Sequence, residues 1–408
     1  MQLKTTMTAL AGALLASCAA TPSGDAAPRS ASNAGLHERL LTLDTHLDTP
    51  MHFARQGWSF GDRHTLADDL VQLDLPRMTD GNLDGGFFVI YTAQGPLTAA
   101  GYASALDFVR QRSDLIDATL ARFSDRIGMM RSAADVERAA REGKLIAFKS
   151  MENSYALGEE LALLAEFERR GVRMAGPVHS ATNQLADSST GEARWKGLSP
   201  LGRRWVAEMN RLGIVIDPSH ASDAAFDQML ALSKAPLLLS HSGTKTVFDH
   251  PRNLDDDRIR KLAAAGGAIC VTSVYLGPIQ LGSERAAQFE QLERIGSLNS
   301  AEQADLARRW RALDVDAPLW EADFERFMAA LLHVLDVAGP DHVCIGADWD
   351  GGGGIAGLED ITDLPKITAR LQRAGYSEEQ IAKIWSGNIL RILREAERAK
   401  LVSRKSRI

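Results

Sequence analysis

Short apolar runs alternate along this chain with longer segments whose apolar residues recur every three to four positions. The short runs read as strands: Leu40–Asp44, Gly86–Tyr91, Leu145–Ser150, Val172–Pro177, Ile214–Pro218, Leu237–Ser240, Ala268–Ser273 and Val343–Ala347. The longer segments read as helices: Tyr102–Ser124, Ala133–Glu142, Leu157–Arg170, Ser199–Leu212, Asp223–Leu232 and Asp256–Ala265. Pro200 suits a first helical position, and Gly171, Gly213 and Gly266 stand where a left-handed cap is wanted. Repeated strand–helix alternation argues for parallel strands joined by crossover helices. The strands are rich in Val, Ile, Leu and Ala, as strands buried on both faces are. The predicted fold is therefore α/β, a (β/α)8 TIM-type barrel. Its surplus length falls in Met51–Asp84 and in a charged helical insertion, Ser283–Ala338, between the seventh and eighth strands. A doubly wound open sheet is the competing arrangement, but no G-x-G-x-x-G opens a helix.

The barrel reading accounts for residues 36–408 and leaves the front of the chain to be explained. Lys4 precedes the short apolar stretch Met7–Ala16, which ends in Leu15-Ala16-Ser17-Cys18. Residues 1–17 read as a signal peptide. The small residues before Cys18 resemble a bacterial lipobox, which implies cleavage before Cys18 and acylation of its thiol. With Ala19 following, the resemblance implies an outer-membrane lipoprotein facing the periplasm, held to the membrane by its lipid. Residues 18–35, rich in Ala, Ser, Pro and Gly, read as a tether.

Composition narrows the partners. The 408 residues are 45% hydrophobic and 24% charged, ordinary for a globular protein. A net charge of −7, with no basic run interleaved with aromatics, argues against a nucleic-acid surface. The charged run Glu284–Arg311 reads as a solvated helical face, and a homodimer contact there is compatible with the pattern. Cys270 and Cys344 lie within predicted strands and are expected to pack as buried free thiols, although an export route permits a bridge.

The chemistry gathers at strand ends. His46 and Asp48 are two residues apart, so they share a face of an extended segment. Glu152, His179, His220, His241 and Asp348 each follow a predicted strand. In a barrel, all of these converge on the C-terminal rim, where active sites of this architecture lie. His220 and His241 can hold one divalent ion, His46 and Asp48 another, and the two oxygens of Glu152 can bridge them. Such donors suit zinc, with Mn, Co and Fe also compatible. Two bridged ions activate a shared water as a hydroxide and polarise a substrate oxygen. Asp348 is the expected proton carrier, with Asp350 an alternative. His179 suits stabilisation of a developing oxyanion, and Arg252 suits a substrate carboxylate.

These motifs together resemble the membrane (renal) dipeptidase family, amidohydrolase-type metallopeptidases. The matching segments are His46-Leu47-Asp48, Glu152, His179 with Asn183 and Ala186-Asp187-Ser188, Asp217-Pro218-Ser219-His220, Ser240-His241-Ser242, Arg252-Asn253 and Gly346 through Gly351. They run in the family's order from Leu40 to Arg394. The resemblance implies a (β/α)8 barrel with two zinc ions: His46, Asp48 and Glu152 on the first, Glu152, His220 and His241 on the second. It implies that His179 and Arg252 bind a dipeptide, that Asp348 handles the proton, and that Tyr275 lines the pocket. It also implies hydrolysis of dipeptides, including those ending in a D-residue. Leu47 stands where the family usually has Asn, Asn153 where it has Gly, and the segment after His179 lacks the usual Cys and Trp. Competing readings are another amidohydrolase-type activity, on N-acyl amino acids, lactones or β-lactams, and a lipoprotein that binds peptide or metal without turnover.

Overall fold

The computed structural model describes residues 35–405. The signal segment, Cys18 and nearly all of the tether lie outside the described residues. Among the described residues nine parallel strands form: β1 (Leu43–Leu47), β2 (Gly85–Tyr91), β3 (Ile127–Met129), β4 (Leu145–Glu152), β5 (Val172–Ala175), β6 (Val215–Ile216), β7 (Leu238–Ser242), β8 (Ala268–Val271) and β9 (Val343–Ile345). The ladders run β1-β2-β4-β5-β6 in one sheet and β7-β8-β9 in another. The extra strand, β3, pairs with Leu145–Ala147 of β4 while β5 pairs with its later half, from Lys149. Three residues are too few for periodicity to register, so the sequence pattern passes β3 over.

Two seams join the sheets into a barrel, and each depends on a buried aspartate. Between β6 and β7, Asp217 accepts from the Ser240 amide at 3.0 Å, and Ser219 Oγ accepts from the His241 amide at 3.2 Å. Between β9 and β1, Asp44 accepts from the Ala347 amide at 3.0 Å, and the Asp48 amide donates to the Trp349 carbonyl at 2.8 Å. These bonds take the ladder's place where the backbones splay and give four amides at the seams their partners. Sequential strand order with side-chain-closed seams is a (β/α)8 barrel, and it excludes the doubly wound alternative.

Alternation along each strand then sorts the core. Phe148, Ser150 and Glu152 share one face of β4; Phe87, Val89 and Tyr91 share one face of β2. Tyr91 and Glu152 line the central cavity, so these faces point into the barrel. Below the cavity, Phe87 stacks on Phe148 with ring centres 4.9 Å apart. Met174, Val215, Leu238, Cys270 and Cys344 complete this layer, and Ile389, Ile392 and Leu393 of the helix Asn388–Lys405 pack against it. The opposite faces, including Phe88, Ile90, Val271 and Ile345, pack against surrounding helices through Val109, Ile116, Phe327 and Leu331.

Three expectations need correction. The first strand runs Leu43–Leu47 rather than Leu40–Asp44, so His46 lies inside it. The helix expected over Leu157–Arg170 is a 3-10 turn at Ser154–Leu157 followed by a helix only from Leu163 to Arg169, interrupted by Gly158 at φ +52°. Cys270 and Cys344 are not free thiols but a disulfide. The register of β8 and β9 sets them directly opposite each other, which composition cannot reveal. Between β8 and β9 lie the helices Ser283–Glu293, Ser300–Asp316 and Phe324–Ala338.

Candidate metal centre

The upper end of the barrel is polar where the lower end is apolar. β1 and β7 each carry an irregularity in register, between Asp44 and Leu47 and between Leu239 and Ser242. A bulge there lets two consecutive residues serve the interior. In β1, Thr45 Oγ1 donates to the Ser240 carbonyl at 2.5 Å while His46 faces the cluster. In β7, Ser240 and His241 divide the same tasks.

Glu152, the last residue of β4, is the hub. Its Oε2 lies 3.6 Å from His46 Nε2. Its Oε1 lies 2.8 Å from His220 Nε2, 3.5 Å from His241 Nε2 and 3.9 Å from His179 Nε2. Asp48 Oδ2 and Asp348 Oδ1 approach His46 Nε2 from the other side, at 3.2 and 3.7 Å. Donor atoms thus fall into three overlapping groups: His46 with Glu152 and His241, Glu152 with His179 and His220, and His46 with Asp48 and Asp348. All five residues expected as ligands come together, as does Asp348. His179 stands close enough to join the donors as well as a substrate.

Electrostatics shows what this cluster lacks. Burial, Arg252 and His179 hold the His220 imidazole neutral, its pKa well below the ordinary range. Burial and the neighbouring His46 do the same to His241. Yet the Nε2 atoms of His220 and His241 are only 2.9 Å apart, and His220 Nδ1 has no partner among the described residues. For His46, burial opposes protonation, but Glu152 and Asp48 outweigh it and hold the pKa well above the usual value. Burial likewise opposes ionisation of Glu152, and the surrounding histidines reverse it. Convergent lone pairs and carboxylates short of positive charge fit divalent cations.

The outer shell fixes the imidazoles. Ser240 Oγ donates to Asp217 Oδ2 at 2.5 Å, so this oxygen can only accept elsewhere. His46 Nδ1 at 3.2 Å and His241 Nδ1 at 2.7 Å both point at it. Each Nδ1 therefore carries a hydrogen, and Nε2 is the nitrogen each ring turns to the donor cluster. Sequence reading missed the roles of Asp217 and Ser240. Their signal was their place immediately beside ligand-bearing motifs.

Asp348 and Asp350 part company. Both adopt left-handed backbone, at φ +68° and +65°, and burial raises both to about 7. Asp348 is further raised by Asp48 and Glu152 and faces His46. Asp350 is already engaged, accepting from Thr49 Oγ1 at 2.5 Å and the Gln72 amide at 2.6 Å. It ties the loop after β1 to the loop after β9. Gly351 follows, and a Cβ there would meet Asp48 Oδ2 at 2.3 Å and Asp348 Oδ1 at 2.4 Å. Only glycine lets both carboxylates approach.

Arg252 is 2% exposed. It donates to the carbonyls of Ser219 and, at 3.1 Å, His241, and its Nη2 lies 3.3 Å from His220 Nε2. Its Nε has no partner among the described residues. Asp255, Asp256 and Asp257, near Arg252 in sequence, pair with Arg258 and Arg260. The Tyr275 ring lies 5.4 Å from the guanidinium and stacks on His250 at 4.4 Å. Arg252, Tyr275, His179 and Asp348 all line one cavity of about 470 Å³ above the donors.

The family model for membrane dipeptidase, peptidase family M19, matches residues 31–407. The chain belongs to this family. It is 30% identical to dipeptidase tcpJ of Claviceps purpurea over 363 residues, 87% of this chain and 76% of that protein. It is 29% identical to dipeptidase verJ of Clonostachys rogersoniana, over 87% of this chain and 84% of that one. Among solved structures, the probable dipeptidase PvdM from Pseudomonas aeruginosa superposes with a TM-score of 0.76 at 29% identity, over 89% of this chain and 97% of that one. A Rhodobacter sphaeroides metallopeptidase, bound to a phosphinate mimic of L-Ala-D-Ala, gives 0.68 at 25% identity, over 88% and 99%. The M19 chain is accordingly a metal-dependent dipeptidase, and its strand-end donor cluster could hold a metal ion.

Proposed function

We propose that this M19 dipeptidase hydrolyses dipeptides bearing a free C-terminal carboxylate, including those ending in a D-residue, at a centre of two zinc ions. The reach of the Glu152 carboxylate carries this reading, one oxygen toward His46 and the other toward His220 and His241. His46, Asp48 and Glu152 would hold the first ion, and Glu152, His220 and His241 the second. When bound, the ions supply a Lewis-acid centre that activates water and polarises the scissile carbonyl.

The chain's own groups do the rest. Arg252, held at the cavity wall by the Ser219 and His241 carbonyls, is the cation placed to meet a substrate carboxylate. His179 is positioned to donate to the carbonyl oxygen as negative charge develops there. Asp348, raised to about 7, can accept a proton from water and return it to the leaving amine. The phosphinate complex of the Rhodobacter relative supports acceptance of a D-residue. The lipobox at Cys18 supports a lipid-anchored form facing the periplasm.

A panel of L,L and L,D dipeptides beside their C-terminal amides and N-acyl amino acids tests the reading. It expects turnover of dipeptides of both configurations and a large rise in KM for the amides. Turnover confined to N-acyl amino acids would overturn it.

A further inference from the structure

The cavity holds a second guanidinium. Arg112, on the helix Ala99–Arg122 after β2, lines the same space as Arg252. Among the described residues neither arginine forms an ion pair, whereas Arg55, Arg77 and Arg285 are paired with Asp69, Asp74 and Asp314. One Nη of Arg112 donates to the Pro50 carbonyl. Its guanidinium lies 5.2 Å from the ring centre of Phe108, one helical turn back, which is 42% exposed and also lines the cavity. Those two contacts fix the plane of the fork and leave its remaining donors to the cavity. Asp48 is the carboxylate whose charge Arg112 feels, but Asp48 is turned toward His46, at 3.2 Å.

The two arginines occupy different sectors. Arg252 packs on Ser219, His220 and His241, beyond β6 and β7. Arg112 packs on Pro50, beyond β1, and descends from the helix after β2. β4 and β5 stand between those sectors in the ladder, and Glu152 ends β4. A dipeptide with its carboxylate on Arg252 and its peptide bond over Glu152 therefore extends its N-terminal residue toward Arg112. That orientation rests on the proposed function.

We infer that Arg112 is a specificity-determining residue that selects an acidic side chain, Asp or Glu, on the N-terminal residue of the dipeptide. A planar fork with open donors matches a carboxylate in two hydrogen bonds and gains little from the isosteric amide. The free amine of the substrate has the cavity's acidic side, Asp48 and Asp348, to answer its charge.

The experiment compares kcat/KM for L-Glu-L-Ala against L-Gln-L-Ala, and L-Asp-L-Ala against L-Asn-L-Ala, in wild type, Arg112→Lys and Arg112→Met. The wild-type acid-to-amide ratio should be about tenfold or more, as expected of a charge-assisted pair. It should fall partway in Arg112→Lys and approach unity in Arg112→Met, with the change carried mainly in KM. A wild-type ratio near one, or a ratio that Arg112→Met leaves unchanged, would overturn the inference while turnover of these dipeptides leaves the proposed function standing. Failure of wild type to cleave any dipeptide would overturn both.

Discussion

Along β4, Phe148 lies at the lower end of the barrel interior and Glu152 at the upper, on one face of one strand. The same step separates Phe87 from Tyr91 on β2, and Cys344 from Asp348 at the end of β9. Below, the interior is apolar, cross-linked and covered by the C-terminal helix. Above, it is ionisable, and Asn153, Tyr275, Asp348 and Asp350 all take left-handed backbone just past strand ends. The lower end has what stability needs: close packing of apolar side chains. The upper end crowds carboxylates and imidazoles into donor groups that could hold a cation, with left-handed backbone where function concentrates. One set of strands thus holds a site that it would not itself favour.

Substitutions at the two ends should separate these roles. The largest effect is expected from Glu152→Gln, which removes the shared charge from both donor groups. Turnover should drop to background and metal content should fall, while circular dichroism keeps the folded signature. At the opposite end, Phe148→Ala should cost about 3–5 kcal/mol in chemical denaturation, the range for a buried aromatic. Its kcat with saturating metal should change far less than that of Glu152→Gln. Replacing both Cys270 and Cys344 by Ala should lower stability by about 2–4 kcal/mol, again with kcat largely kept. The smallest effect is expected between the two ends. Ser240→Ala frees both Nδ1 atoms from their acceptor and should weaken metal affinity by about 10–100-fold, read by chelator competition, with a minor change in melting temperature. A Ser240 variant that loses stability as Phe148→Ala does, yet keeps its metal, would erase the distinction between the ends.

Much of the upper end was legible in the sequence because it obeys period two. His46 and Asp48 announce a shared face, and the candidate donors recur at strand ends in barrel order. What escaped was set by register and closure. The bulges that bring Ser240 and His241 inward together leave no trace in hydrophobic pattern. Nor does the pairing that sets Cys270 opposite Cys344, so free thiols were the natural expectation. Asp44 and Asp217 look like ordinary polar residues until the seams they close are seen. Arg112 looked like any charged position on a helix, since only the packing of that helix against β2 and the turn Thr49–His52 brings it to the cavity. Gly351 has no side chain to signal a role, although two carboxylates exclude one there.

The central claim is that Glu152 joins two cation sites in one cluster. Elemental analysis of purified, active full-length protein tests it most directly, paired with the same measurement on Glu152→Gln. The account predicts two divalent transition-metal ions per chain in wild type, and a loss from both sites in the variant that parallels the loss of turnover. Fully active wild type without bound metal, or a Glu152→Gln protein that retains both ions, would contradict it.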